Sequence, residues 1–136
     1  MVKNYKRFIT GMTGVYAVAT ELSSRGYIVT ITSRNAPHVD IIVSTPNLKK
    51  TFNIQVKANN PYGTKSFWLL NKEAKNIKSN NFIYLFVNLK ENVKPDFYIV
   101  KSRIVAKNID VNHSKSGHWY SFQRDNKFKD KWTTLS

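Results

Sequence analysis

The segment Phe82-Ile83-Tyr84-Leu85-Phe86-Val87 is apolar or aromatic at every position. A strand sends alternate side chains to opposite faces, so a run of this kind reads as a central strand buried on both. The chain has 136 residues, 41% of them hydrophobic and 13% aromatic, which is enough for one core and one domain, residues 1–136. A wholly disordered chain is excluded.

The elements around that strand follow from spacing. Phe8, Met12, Val15, Val18, Ala19 and Leu22 recur at helical intervals, and Gly26 follows as a stop, which predicts a helix from about Tyr5 to Arg25. Strands are predicted at 27–32, 39–43, 51–57, 67–70 and 97–100, with a weak helix around 72–77 and another over 102–107. The order is α-β-β-β-(α)-β-β-α, an α/β domain with an antiparallel meander at its centre. Residues 8–100 are expected to form the core, with 101–136 as a helical and aromatic extension.

Twenty-two Lys and Arg against eight Asp and Glu give a formal charge of +14. Such a balance favours a polyanionic partner, most often nucleic acid. Lys predominates over Arg, which speaks against base-specific readout. The absence of cysteine excludes a disulfide scaffold, a thiolate zinc site and a cysteine nucleophile. No apolar run approaches the roughly 18 residues of a membrane span, and Met1–Arg7 leads into no signal-peptide core. A soluble, cytoplasmic location without a membrane partner is the expectation.

Among the eight acidic residues, Asp40 is set within Val39-Asp40-Ile41-Ile42-Val43, where an ionised carboxylate is costly unless it is paired or bound to metal. On the next strand Gln55 and Lys57 share one face. A hairpin between the two strands brings Asp40 to that face in two registers, with loops Pro46–Lys49 or Asn47–Lys50. Because Pro46 cannot donate to a ladder, the first is favoured, with Asp40 opposite Gln55. The result is a carboxylate, an amide oxygen and an ammonium at one spot. It suits either Mg²⁺-assisted phosphoryl chemistry or a structural Asp40–Lys57 ion pair.

Gly11, Val15, Leu22, Gly26-Tyr27, Asp40 and Gln55-Val56-Lys57, in this order and spacing, resemble the core of the PD-(D/E)XK nuclease superfamily, which includes Holliday-junction resolvases and Mrr-like restriction enzymes. The resemblance covers about residues 8–58, and it extends to the strand at 82–88. It implies a restriction-endonuclease-like core, α-β-β-β-α-β, with a central mixed sheet flanked by helices. It implies a DNA-binding, Mg²⁺- or Mn²⁺-dependent endonuclease in which Asp40, Gln55 and Lys57 are catalytic. Asp40, Gln55 and the Val56 main-chain carbonyl would hold the metal. Two positions depart from the family: its helix Glu falls at Val15, and its Glu-x-Lys carboxylate is Gln55. The alternative is a catalytically weakened or inactive nuclease-fold protein acting as a DNA-binding or protein-interaction module, and a third reading is a basic RNA-binding domain. Cutting two strands takes two sites, which makes a homodimer one expected assembly. Arg34 and Asn35, just before the site, are candidate phosphate contacts, and Lys65 with Trp68 is a candidate base-stacking pair. His38, two residues before Asp40, offers a base or ligand on the same face but is read as a hydrogen-bonded strand residue. His113 and His118, without acidic or Cys partners at metal spacing, are read as solvated.

Overall fold

The computed structural model describes residues 7–33 and 35–136. Its elements run α1 (Arg7–Ser24), β1 (Ile28–Ile31), β2 (Ile41–Ser44), β3 (Thr51–Asn59), β4 (Phe67–Leu70), a 3₁₀ turn (Lys72–Lys75), β5 (Phe82–Asn88), β6 (Asp96–Lys101), α2 (Ser102–Asn108), β7 (Asp110–Ser114) and β8 (Gly117–Gln123), then two 3₁₀ turns (Asn126–Phe128 and Trp132–Leu135).

Five strands form one mixed sheet in the order β1-β2-β3-β5-β6. Its pairs are antiparallel except β3–β5, which is parallel with Gln55 beside Tyr84 and Lys57 beside Phe86. The all-apolar strand β5 lies inside this sheet, as its sequence requires. One of its faces carries Ile83, Leu85 and Val87, which join Ile54, Val56 and Ile99 in a core closed by Val15, Val18 and Leu22 of α1 and by Trp132 and Leu135. The other carries Phe82, Tyr84 and Phe86, packed with Tyr98, Trp68, Phe122 and Val105. Burial of this many large side chains on both faces is the main stabilising force.

The α/β restriction-endonuclease-like core is present, with two differences in its surroundings. Helix α1 covers one face, whereas much of the other is covered by a second sheet, β4-β8-β7, together with α2. The weak helix at 72–77 is one 3₁₀ turn. The C-terminal stretch, expected as a helical and aromatic extension, contains a β-hairpin, β7–β8, whose second strand pairs with β4. The alternation that would mark β7 is missing from its sequence, since Asp110-Val111-Asn112-His113-Ser114 is largely exposed.

Helix α1 packs close to the sheet because Gly14 has no side chain. A Cβ there would be 2.6 Å from the Ala58 Cβ. Gly14 and Ala58 therefore bring helix and strand together and fix which helical residues reach the end of β3.

Candidate active site

The β2–β3 hairpin has the register that its loop predicts. Ser44 faces Thr51, and the Thr45 N–H donates to the Lys50 carbonyl at 2.9 Å, leaving Pro46–Lys49 as the loop. Asp40 is one residue before β2 rather than within a strand. Its N–H donates to the Ile54 carbonyl at 2.8 Å, although Ile54 is already the register partner of Ile41. Asp40 and Ile41 thus both oppose Ile54, which is a β-bulge, so Asp40 does not stand opposite Gln55 as the loop register alone predicts. The bulge ends the ladder, and the Asp40 side chain takes over the next hydrogen bond: Oδ2 accepts the Val56 N–H at 2.8 Å. The N–H and C=O of one strand residue point the same way, so the Val56 carbonyl leaves β3 on the Asp40 side.

Gln55 and Lys57 are half-buried on the face of β3 that looks toward Tyr84 and Phe86. Burial pushes the Lys57 ammonium down from its ordinary range, and the nearby Asp40 carboxylate pulls it part of the way back. Among the described residues, no ion pair includes Asp40 or Lys57. The structural ion pair is therefore not formed, and Asp40 is held by main chain instead. Tyr84, beside Gln55, is also buried. Its hydroxyl has no hydrogen-bond partner among the described residues, and burial pushes it up to about 12, so it stays neutral at pH 7.

A cavity of about 390 Å³ opens at the C-terminal end of β3. Arg7, Thr10 and Gly11 of α1 form one wall, Val56, Lys57, Ala58 and Asn59 the floor, and Lys65 with Trp68-Leu69-Leu70 the far side. Its cations are Arg7, Lys57 and Lys65, and among the described residues no carboxylate lines it.

The remaining candidates are distributed unevenly around this cavity. Lys65 is exposed at its rim. Asn35 is exposed in the turn before Asp40 and does not line it, and Arg34 lies outside the described residues. Trp68 cannot stack a base. It is 1% exposed, its Nε1 donates to the Val87 carbonyl at 3.0 Å, and its ring packs on Phe86 and Tyr98. β4 lies against the sheet and turns this residue inward. Val15 is 6% exposed in the α1-side core and does not line the cavity; the cavity-lining helix residues are Arg7, Thr10 and Gly11. Sequence reasoning passed over Thr10, although its place one helical turn before Gly14 was a usable signal. His38 lines a separate hollow with Glu73 and His118, and His113 and His118 face each other across the β7–β8 hairpin.

At the level of sequence, no family model and no curated relative matches. Solved structures do. A bacterial homing endonuclease, I-Ssp6803I, superposes with a TM-score of 0.61 at 11% identity, over 96% of this chain and 91% of the other. The Holliday junction resolvase Hjc of the archaeal hyperthermophile Archaeoglobus fulgidus superposes with a TM-score of 0.55 at 9% identity, over 93% and 96%. At such identities the likeness is one of fold.

Proposed function

We propose that this chain, which has the PD-(D/E)XK-like nuclease fold, is a DNA-binding endonuclease that hydrolyses phosphodiester bonds at Asp40, Gln55 and Lys57. The observation that carries the reading is the bulge. It fixes the Asp40 carboxylate against the Val56 main chain, near enough to act on the charge of half-buried Lys57. Val56 and Lys57 line a cationic cavity that Asp40 and Gln55 themselves do not line. The solved neighbours are by name a homing endonuclease and a Holliday junction resolvase, and a net charge of +14 suits a polyanionic substrate.

The expected cofactor is Mg²⁺ or Mn²⁺. One Asp40 oxygen is engaged by the Val56 N–H; the other, with the Val56 carbonyl and the Gln55 amide oxygen, makes up the hard donors that would hold the ion. Among the described residues, no three His, Cys, Asp or Glu side chains gather. Mg²⁺ commonly takes one or two carboxylates and completes its shell with water and substrate phosphate, so this donor set fits an ion that binds together with DNA. When bound, the ion supplies Lewis-acid polarisation of the phosphoryl oxygen and a more acidic water.

The protein's own side chains do the rest. Asp40 is oriented before substrate arrives, because main chain holds it. Lys57 has its charged form disfavoured by burial, and an arriving phosphate stabilises that form. It therefore gains its strongest interaction where negative charge develops in the transition state.

A second reading, a DNA-binding module without hydrolysis, is favoured by one observation: among the described residues no carboxylate lines the cavity, and Val15, which takes the place of the family's helix Glu, is buried in the core. Plasmid nicking in Mg²⁺ or Mn²⁺, with Lys57→Ala and Asp40→Asn, separates the two. Asparagine keeps an acceptor for the Val56 N–H, so Asp40→Asn should remain folded and bind DNA, and both variants should lose nicking. Log affinity should fall by about 0.9 per decade of salt for each phosphate neutralised. Tight, salt-sensitive DNA binding by wild type with no nicking in either metal would favour the module reading. A slope near zero would remove DNA as the partner.

A further inference from the structure

Helix α1 has three threonines whose hydroxyls behave differently. Thr13 and Thr20 donate to the carbonyls of Ile9 and Tyr16, at 2.7 and 2.9 Å, which is the usual way for a helical threonine to satisfy itself. Thr10 does not. It is 6% exposed, and its Oγ1 is buried without a hydrogen-bond partner among the described residues. An unpaired buried hydroxyl is unfavourable and calls for an explanation. Thr10 lines the cavity together with Arg7, Lys57 and Lys65, and the Gly14–Ala58 contact one turn further along holds that stretch of helix against β3.

We propose that Thr10 is a phosphate ligand: its hydroxyl donates to a phosphate oxygen of the bound chain, and Arg7, Lys57 and Lys65 neutralise the charge. This deepens the DNA reading above and rests on it for the identity of the ligand, although not for the presence of the anion site. The sign of the surroundings selects the ligand class. Three cations and no carboxylate among the described lining residues favour an anion over a cation or a neutral sugar. A hydroxyl that has not donated its hydrogen offers what a phosphate oxygen accepts.

The test uses the full chain with Thr10→Val, which keeps the shape and removes the hydroxyl, and Thr10→Ser, which keeps the hydroxyl. Melting curves are recorded in inorganic phosphate and in sodium chloride of equal ionic strength, and duplex affinity is read by fluorescence anisotropy. Wild type should melt higher in phosphate than in chloride. Thr10→Val should melt higher than wild type in chloride, because a buried unpaired group has gone. It should lose the phosphate increment and bind DNA about tenfold more weakly, as expected for one hydrogen bond to a charged group. Thr10→Ser should retain the increment. A Thr10→Val protein that melts lower in chloride, or that keeps the increment, overturns the proposal. Should valine fail to fold, Thr10→Ala is read by its phosphate increment and DNA affinity alone, because loss of the buried methyl lowers its melting temperature in either salt. Unchanged DNA affinity in Thr10→Val, beside salt-dependent wild-type binding, sinks the inference and leaves the DNA reading intact. A Thr10-dependent phosphate increment in a protein that ignores DNA does the reverse.

Discussion

Replacing Gly14 by alanine sets two effects of known size against each other. In an exposed helix the change stabilises by about 0.8–1.0 kcal/mol, since alanine is the better helix former. Here the new Cβ would be 2.6 Å from the Ala58 Cβ, whereas carbon atoms rest about 3.5–4.0 Å apart. The helix must retreat by about 1 Å, and overpacking of this kind costs about 1–3 kcal/mol. The neighbour is a Cβ fixed to a strand, not the end of a flexible side chain, so it cannot swing aside. The net expectation is a loss of about 1 kcal/mol, or about 4 °C in melting temperature for a chain of this size. Ala58→Gly alone should lose about 0.5–1 kcal/mol as a glycine within a strand. The double variant should return close to wild type, because the helix gain then offsets the strand loss and the clash is gone. Thermal and urea denaturation of the four proteins gives the coupling, expected at about 1–3 kcal/mol in favour of the pair. Gly14→Ala more stable than wild type, with additive behaviour in the double variant, would refute the close seating of α1 on β3.

Two further outcomes follow from ionisation. Lys57 titrates below 10.5 in the folded chain because of burial, so its charged form opposes folding at neutral pH. Lys57→Met should raise the melting temperature at pH 7, and the advantage should shrink as pH rises through the folded value toward 10.5; a lower melting temperature at pH 7 would contradict the assignment. Glu21 has the opposite sign. Lys94 and Arg25, each at 2.8 Å, hold its carboxyl below the usual 4.5, with the Lys94 hydrogen bond first among the causes and burial working against it. Its contribution is present above pH 4.5 and lost as pH falls through the folded value, so Glu21→Gln should be less stable at pH 7, by less than about 1 kcal/mol for partners this exposed, and equal to wild type in strong acid.

The legible part of this protein was the part governed by local rules. Helical spacing locates α1, the apolar run locates β5, and the inability of Pro46 to donate sets the β2–β3 register. Val15 shows where such rules stop. Counting back from Leu22 and Gly26 fixes a position along the helix, but rotation of the helix is set by the Gly14–Ala58 contact, between residues far apart in sequence. Trp68 fails for a related reason. Nothing in Phe67-Trp68-Leu69-Leu70 tells which side of the strand faces the sheet, because that depends on β8 arriving from the other end of the chain. The bulge at Asp40 was also unreadable, since an extra residue in a ladder leaves no mark on the alternation of a four-residue strand.

β3 and β5 form the one parallel pair among the described strands, and this has a consequence for the order of assembly. The β1–β2–β3 meander and the β5–β6 pair close over short loops and can form early. Parallel pairing must wait until the intervening chain, with β4 in it, has crossed the sheet, and such non-local closures are slow. Lys57 and Asn59 come from the meander, while Lys65 and Leu70 come from the crossing segment. Neither early fragment contains both sides of the cavity. Selective capture of phosphate is thus expected to appear late in refolding, together with the last pairing, and to separate finished molecules from those that are merely basic and compact.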